Sequence, residues 1–166
     1  MTIEEAIQTA IAFENQVRDV YTSAAEKASD ATGERVFRVL ADEEQRHVDY
    51  LEARLSEWRE TGSIHPSALD TVVPSRDVLA EAASRVAEGM ADVDRGTELA
   101  MLSKALEAER KTSSFYRKMV AELPAEGQQL FERFVTIEDG HLAIVQAEMD
   151  SLTGTGAWFD CFEVKL

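Results

Sequence analysis

The chain has 166 residues, 45% of them hydrophobic and 30% charged, which is ordinary for a globular protein and enough to bury a core. Acidic residues number 32 against 17 basic ones, and the net charge of −15 argues against nucleic acid and anionic lipid as partners while suiting small cations. The single cysteine, Cys161, leaves no intrachain disulfide, "MTIEEAIQTA" is acidic where a leader would be basic, and no apolar run is long enough to span a bilayer, so the expectation is a cytoplasmic protein with no membrane segment.

Apolar residues recur at three- and four-residue spacing and alternating β-branched runs are scarce, so the predicted elements are helices. The first begins at Thr2, which makes a capping box with Glu5, and runs to about Ala28. Its apolar stripe reads Ile7, Ala10 and Ile11, then Glu14, then Val17 and Tyr21. Gly33 punctuates the following turn. A second helix, about 34–60, ends at Thr61-Gly62, and its stripe of Phe37, Leu40, Ala41, Val48, Leu51 and Leu55 is interrupted by Glu44 and His47. Those two lie three positions apart and share a helix face.

The segment "SIHPSALDTVVPSRD" holds two prolines and reads as connector, followed by a short helix from about Asp77 to Gly89. A third long helix, about 94–122, stops before Pro124. It carries Leu102, Ala105, Leu106, Glu109, Tyr116 and Val120, with Thr112 and Ser113 making the turn after Glu109 more polar. The fourth, about 126–152, ends at "TGTG" and aligns Phe131, Phe134, Val135, Glu138, His141, Leu142, Val145 and Met149. The predicted fold is all-α: a four-helix bundle with one long crossover connection and a short extra helix. It forms one domain, with a helical hairpin at 2–60, a crossover at 61–93, a second hairpin at 94–152 and a tail at 153–166.

The two hairpins repeat each other. Glu14 and Tyr21 fall on Glu109 and Tyr116 at an offset of 95, while Glu44 and His47 fall on Glu138 and His141 at an offset of 94. What repeats is chiefly the polar residues of the buried stripe. Packing the four stripes together brings four carboxylates and two imidazoles into one core. There the carboxylates would repel one another and take up protons. Two divalent cations offset the four charges, and an oxygen and nitrogen set without thiolate suits iron or manganese, with zinc also compatible. One glutamate from each of two helices plus Glu-x-x-His from each of the others is the ligand set of di-iron and di-manganese carboxylate bundles. The candidate metal ligands are therefore Glu14, Glu44, His47, Glu109, Glu138 and His141. Tyr21 and Tyr116 are candidates for hydrogen bonds to ligand carboxylates. Asp42, Glu43, Glu107 and Asp139 are expected to face solvent, and His65 to be incidental.

These residues resemble the rubrerythrin-like branch of the ferritin-like superfamily over nearly the whole chain: Glu14 with Tyr21, Glu44 with His47, Glu109 with Tyr116, and Glu138 with His141. The resemblance implies two iron ions, bridged by Glu44 and Glu138, with Glu14 and His47 completing one coordination sphere and Glu109 and His141 the other. It also implies reaction with dioxygen or hydrogen peroxide, as an oxidoreductase of the peroxidase or ferroxidase type active in oxidative stress, or else iron storage and handling. With Cys161 as its only cysteine the chain has no rubredoxin domain, so a peroxidase would need an external electron donor. Thr112 stands where rubrerythrins carry an extra carboxylate, and the symmetric six-residue set is closer to the bacterioferritin type of site. The tail "GAWFDCFEVKL", with Trp158, Phe159 and Phe162, suits a bundle cap or a homodimer interface, and Cys161 reads as a packed thiol.

Overall fold

The computed structural model describes residues 1–28, 31–65, 67–71 and 95–153. Among them are four helices and no strand: α1 (Ile3–Lys27), α2 (Ala31–Thr61), α3 (Arg95–Glu122) and α4 (Ala125–Leu152). The protein is an all-α four-helix bundle. The short helix expected near Asp77 to Gly89 and the aromatic tail with Cys161 lie outside the described residues.

Local chemistry sets the helix ends. At the start of α1, the Thr2 hydroxyl accepts from the Glu5 amide at 3.2 Å and the Glu5 carboxylate accepts from the Thr2 amide at 2.8 Å, so two helix-end donors are satisfied reciprocally. α2 ends at Gly62, whose φ of 71° is the left-handed conformation that glycine adopts without steric cost; its amide donates to the Trp58 carbonyl at 2.8 Å. Gly33 does not mark the turn. It lies inside the first turn of α2, which begins at Ala31. Between α3 and α4, Leu123 and Pro124 suffice as a link, and Gly127 makes that corner tight: a Cβ there would meet the Leu123 side chain at 2.9 Å.

α1 packs on α2, α3 on α4, and α1 on α3. The core is two apolar layers. One gathers Ile3, Ile7, Ala10, Leu51, Leu55, Met119, Leu123, Leu130, Phe131 and Phe134. The other gathers Val17, Tyr21, Ala24, Phe37, Leu40, Leu102, Ala105 and Val145. The first layer holds the start of α1, the ends of α2 and α3 and the start of α4; the second holds the opposite ends. α2 and α3 therefore run parallel, and the connection from Thr61 to Arg95 joins opposite ends of the bundle. A hairpin loop cannot do that, which is why this link alone is long. Ile64 and Leu69, in its described part, pack into the first layer.

Candidate metal centre

Between the two apolar layers lies a polar one. Glu14, Glu44, His47, Glu109, Glu138 and His141 are all fully buried, each from the middle of its helix. Every one of the six candidate ligands named from the sequence meets the others here. One ligand atom each from Glu14, Glu44, His47 and Glu138 lie within 4.8 Å of one another, and so do one each from Glu44, Glu109, Glu138 and His141. Glu44 and Glu138 belong to both groups.

The histidines face the carboxylates through Nδ1. His47 Nδ1 lies 3.1 Å from Glu44, 3.2 Å from Glu14 and 3.6 Å from Glu138. His141 Nδ1 lies 2.7 Å from Glu44, 3.5 Å from Glu109 and 3.8 Å from Glu138. The two rings are nearly parallel, 11° apart, with centroids 5.5 Å from each other. Tyr21 and Tyr116 clasp the centre crosswise: the Tyr21 hydroxyl, from α1, donates to Glu109 on α3, and the Tyr116 hydroxyl, from α3, donates to Glu14 on α1. Both tyrosines are fully buried.

Taken as side chains alone, the centre is held by protons. Burial, then the charge of Glu44, pushes Glu14 up to about 8, and burial with Glu14, Glu109 and Glu44 pushes Glu138 well above the carboxylate range. Burial works against the charge on His47, but Glu44 and Glu14 outweigh it and raise His47 to about 10. His141 is raised well above its usual value for the same reason, by Glu44 and Glu109 against burial. Glu44 goes the other way: burial disfavours its charge, yet His141 and His47 hold it well below the carboxylate range. The tyrosines, buried beside carboxylates, are kept neutral.

The donor geometry fits metal ions better than it fits protons. Both oxygens of Glu138, Oε1 of Glu44, Oε2 of Glu109 and Nδ1 of His141 have no hydrogen-bond partner, although all are buried. Glu44 Oε1 and His141 Nδ1 are 2.7 Å apart and yet do not meet the geometry of a good hydrogen bond. Buried polar atoms are otherwise almost always satisfied. Atoms that crowd together without bonding are atoms aimed at shared points between them, and oxygen with imidazole nitrogen suits iron, manganese or zinc.

Residues 3–87, about half of the chain, match the family whose description is Rubrerythrin. This protein belongs to the rubrerythrin family. The matched stretch holds Glu14, Tyr21, Glu44 and His47; Glu109, Tyr116, Glu138 and His141 lie beyond it and repeat its pattern. No curated protein and no solved structure matches the chain. As the sequence predicts, the buried carboxylate and histidine clusters of this rubrerythrin-family bundle are suited to metal.

One acidic residue, Glu43, departs from the sequence reading, and a second buried one, Glu148, is a residue that the reading did not single out. Glu43 does not face solvent: it is fully buried, because positions 40, 43, 44, 47 and 51 of α2 share one face and Arg46 covers its charge with a 2.7 Å ion pair. Its spacing of four from His47 was the available signal. Glu148 is also buried, at 3% exposure, and sits on the His141–Val145 stripe at helical spacing. Asp42 and Glu107 are exposed as expected, and Asp139 is half-buried in an ion pair with Arg117. His65 is exposed, with Nδ1 2.7 Å from Glu57, away from the centre. No described helix is long and apolar enough to cross a membrane.

Proposed function

We propose that this chain is a dinuclear iron protein that reacts with dioxygen or hydrogen peroxide, an oxidoreductase of the peroxidase or ferroxidase type. The observation that carries the reading is the overlap of two four-residue groups in Glu44 and Glu138. Two carboxylates shared between two otherwise separate sets are what a pair of adjacent ions needs, and Glu14 with His47 and Glu109 with His141 then complete the two ends. Ferrous iron, if held by these residues, would supply the electrons that reduce the oxidant. The protein does the rest. The Nδ1 atoms of His47 and His141 and the carboxyls of Glu14 and Glu138 release protons as cations take their place. Tyr21 and Tyr116 keep Glu109 and Glu14 from swinging, and the aromatic wall of Phe131, Phe134 and Tyr116 keeps bulk water out. A peroxidase cycle takes its electrons from an external donor.

The test is elemental analysis of protein produced with iron available, followed by addition of peroxide or oxygen to the ferrous form. Two irons per chain and an absorption change within seconds are expected, with neither in Glu44→Ala. An unchanged spectrum in iron-loaded wild type overturns the oxidant chemistry, and absence of metal after anaerobic reconstitution overturns the centre itself. Loading should also raise the melting temperature by roughly 8–16 °C at free metal near a thousand times Kd.

A further inference from the structure

Glu43 stands behind the histidine pair, and the dinuclear centre does not use it. Its carboxylate is enclosed and fixed: Oε1 accepts from Arg46 Nη2 at 2.7 Å, and Oε2 lies 3.9 Å from Nε2 of His47. A carboxylate oxygen of Glu43 and one ring nitrogen each of His47 and His141 lie within 4.8 Å of one another. A third cation among them is one reading, but imidazole chemistry favours another. A neutral imidazole has one lone-pair nitrogen and one N–H. With Nδ1 of His47 aimed at Glu14, Glu44 and Glu138, its Nε2 carries the hydrogen, and what faces that N–H is an acceptor. The 3.9 Å gap exceeds a hydrogen bond, and a small rotation of the His47 ring closes it.

The second hairpin lacks this device. At the repeat offset of 94, Ile137 occupies the place of Glu43 and Gly140 the place of Arg46, so both members of the ion pair are missing together. Ile137 is buried in the apolar core instead.

We propose that Glu43, held by Arg46, is a positioning residue for His47 that makes the two halves of the centre unequal, so that the Glu14/His47 half takes the first metal ion and the Glu109/His141 half the second. The inference rests on the metal-centre reading above. A carboxylate behind a ligating histidine fixes its tautomer and ring orientation and makes its free nitrogen a stronger donor, and loss of such a partner typically weakens metal affinity about 10–100-fold.

The experiment is an anaerobic titration of cobalt(II) into the full chain stripped of metal, followed by calorimetry and by visible absorption. Wild type is expected to bind two equivalents in two steps whose affinities differ about 10–100-fold. Glu43→Gln keeps the size of the side chain and removes its charge; it should weaken the first step and leave the second, so that the two converge. His141→Ala should keep the tight step and His47→Ala should lose it. Arg46→Met, a change at an exposed position that keeps the Glu43 side chain itself, should narrow the gap in part and serves if Glu43→Gln does not fold. Two equal steps in wild type, or a gap that survives in both Glu43→Gln and Arg46→Met, overturns the inference while leaving the dinuclear centre standing. A third equivalent that vanishes in Glu43→Gln overturns it in favour of a cation site at Glu43. No binding at all removes the centre and the inference together.

Discussion

The hairpin of α1 and α2 and the hairpin of α3 and α4 contribute the same groups to the centre, two glutamates, a histidine and a tyrosine each, but surround them differently. One turn past Glu14 the first hairpin buries Val17, while one turn past Glu109 the second buries Thr112, whose hydroxyl returns to the Ala108 carbonyl at 3.1 Å. Behind His47 stands the Glu43–Arg46 pair; in the corresponding positions stand Ile137 and Gly140. The repeated part is therefore the set of atoms that must converge, and the variable part is what lies one layer out. Convergence tolerates no substitution of type, because each carboxylate or imidazole that fails to point inward leaves the others buried without compensation. The surrounding layer needs only to be packed and satisfied.

Removing ligands tests the equivalence of the hairpins most severely. Glu44→Ala or Glu138→Ala, each taking away a shared carboxylate, should abolish binding of both metal ions. Glu14→Ala or Glu109→Ala should leave about one per chain. If all four variants keep equal metal content by elemental analysis, Glu44 and Glu138 are not shared. A smaller effect is expected from the tyrosines. Tyr21→Phe and Tyr116→Phe each free a buried carboxylate oxygen and should weaken metal binding about 10–100-fold without changing stoichiometry. Their crossed hydrogen bonds, Tyr21 to Glu109 and Tyr116 to Glu14, predict that Tyr21→Phe acts on the Glu109/His141 half and Tyr116→Phe on the Glu14/His47 half. Stepwise cobalt(II) titration of the two variants would expose the reverse assignment.

The gentlest probe is pH. In the chain stripped of metal, His47 is raised from an ordinary 6.5 to about 10 and Glu14 from 4.5 to about 8, so the folded state holds both protons more tightly than the unfolded state. Stability from Glu14 is complete below pH 4.5 and lost as pH rises through about 8; that from His47 is complete below 6.5 and lost through about 10. The melting temperature of the stripped chain should fall gradually from pH 6 to 9, whereas the loaded chain, whose protons are displaced, should not follow it. A stripped chain that grows more stable over that range contradicts the proton-held centre.

Much of this was readable along the chain. Helical periodicity, the Thr2–Glu5 box and the Thr61-Gly62 stop are local, and locality is why they transfer to the structure within a few residues. Gly33 was misread because a glycine near a turn carries the same signal whether it ends the turn or opens the next helix. The six converging residues were legible through the repeat, since an ionisable group in the middle of an apolar stripe is costly and here each one is duplicated. Glu43 was not, because in an acidic chain most glutamates on helices are solvated.

By itself, then, the amino-acid sequence determined four amphipathic helices and which polar side chains each would turn inward, for both follow from spacing within one helix. Only the tertiary structure decided which of those side chains meet. The parallel placement of α2 and α3, the crossed tyrosine bonds between α1 and α3, the sharing of Glu44 and Glu138, and the burial of Glu43 under Arg46 depend on how helices distant in sequence are set beside one another. That relation lies between helices, in the packing of four stripes around one polar layer.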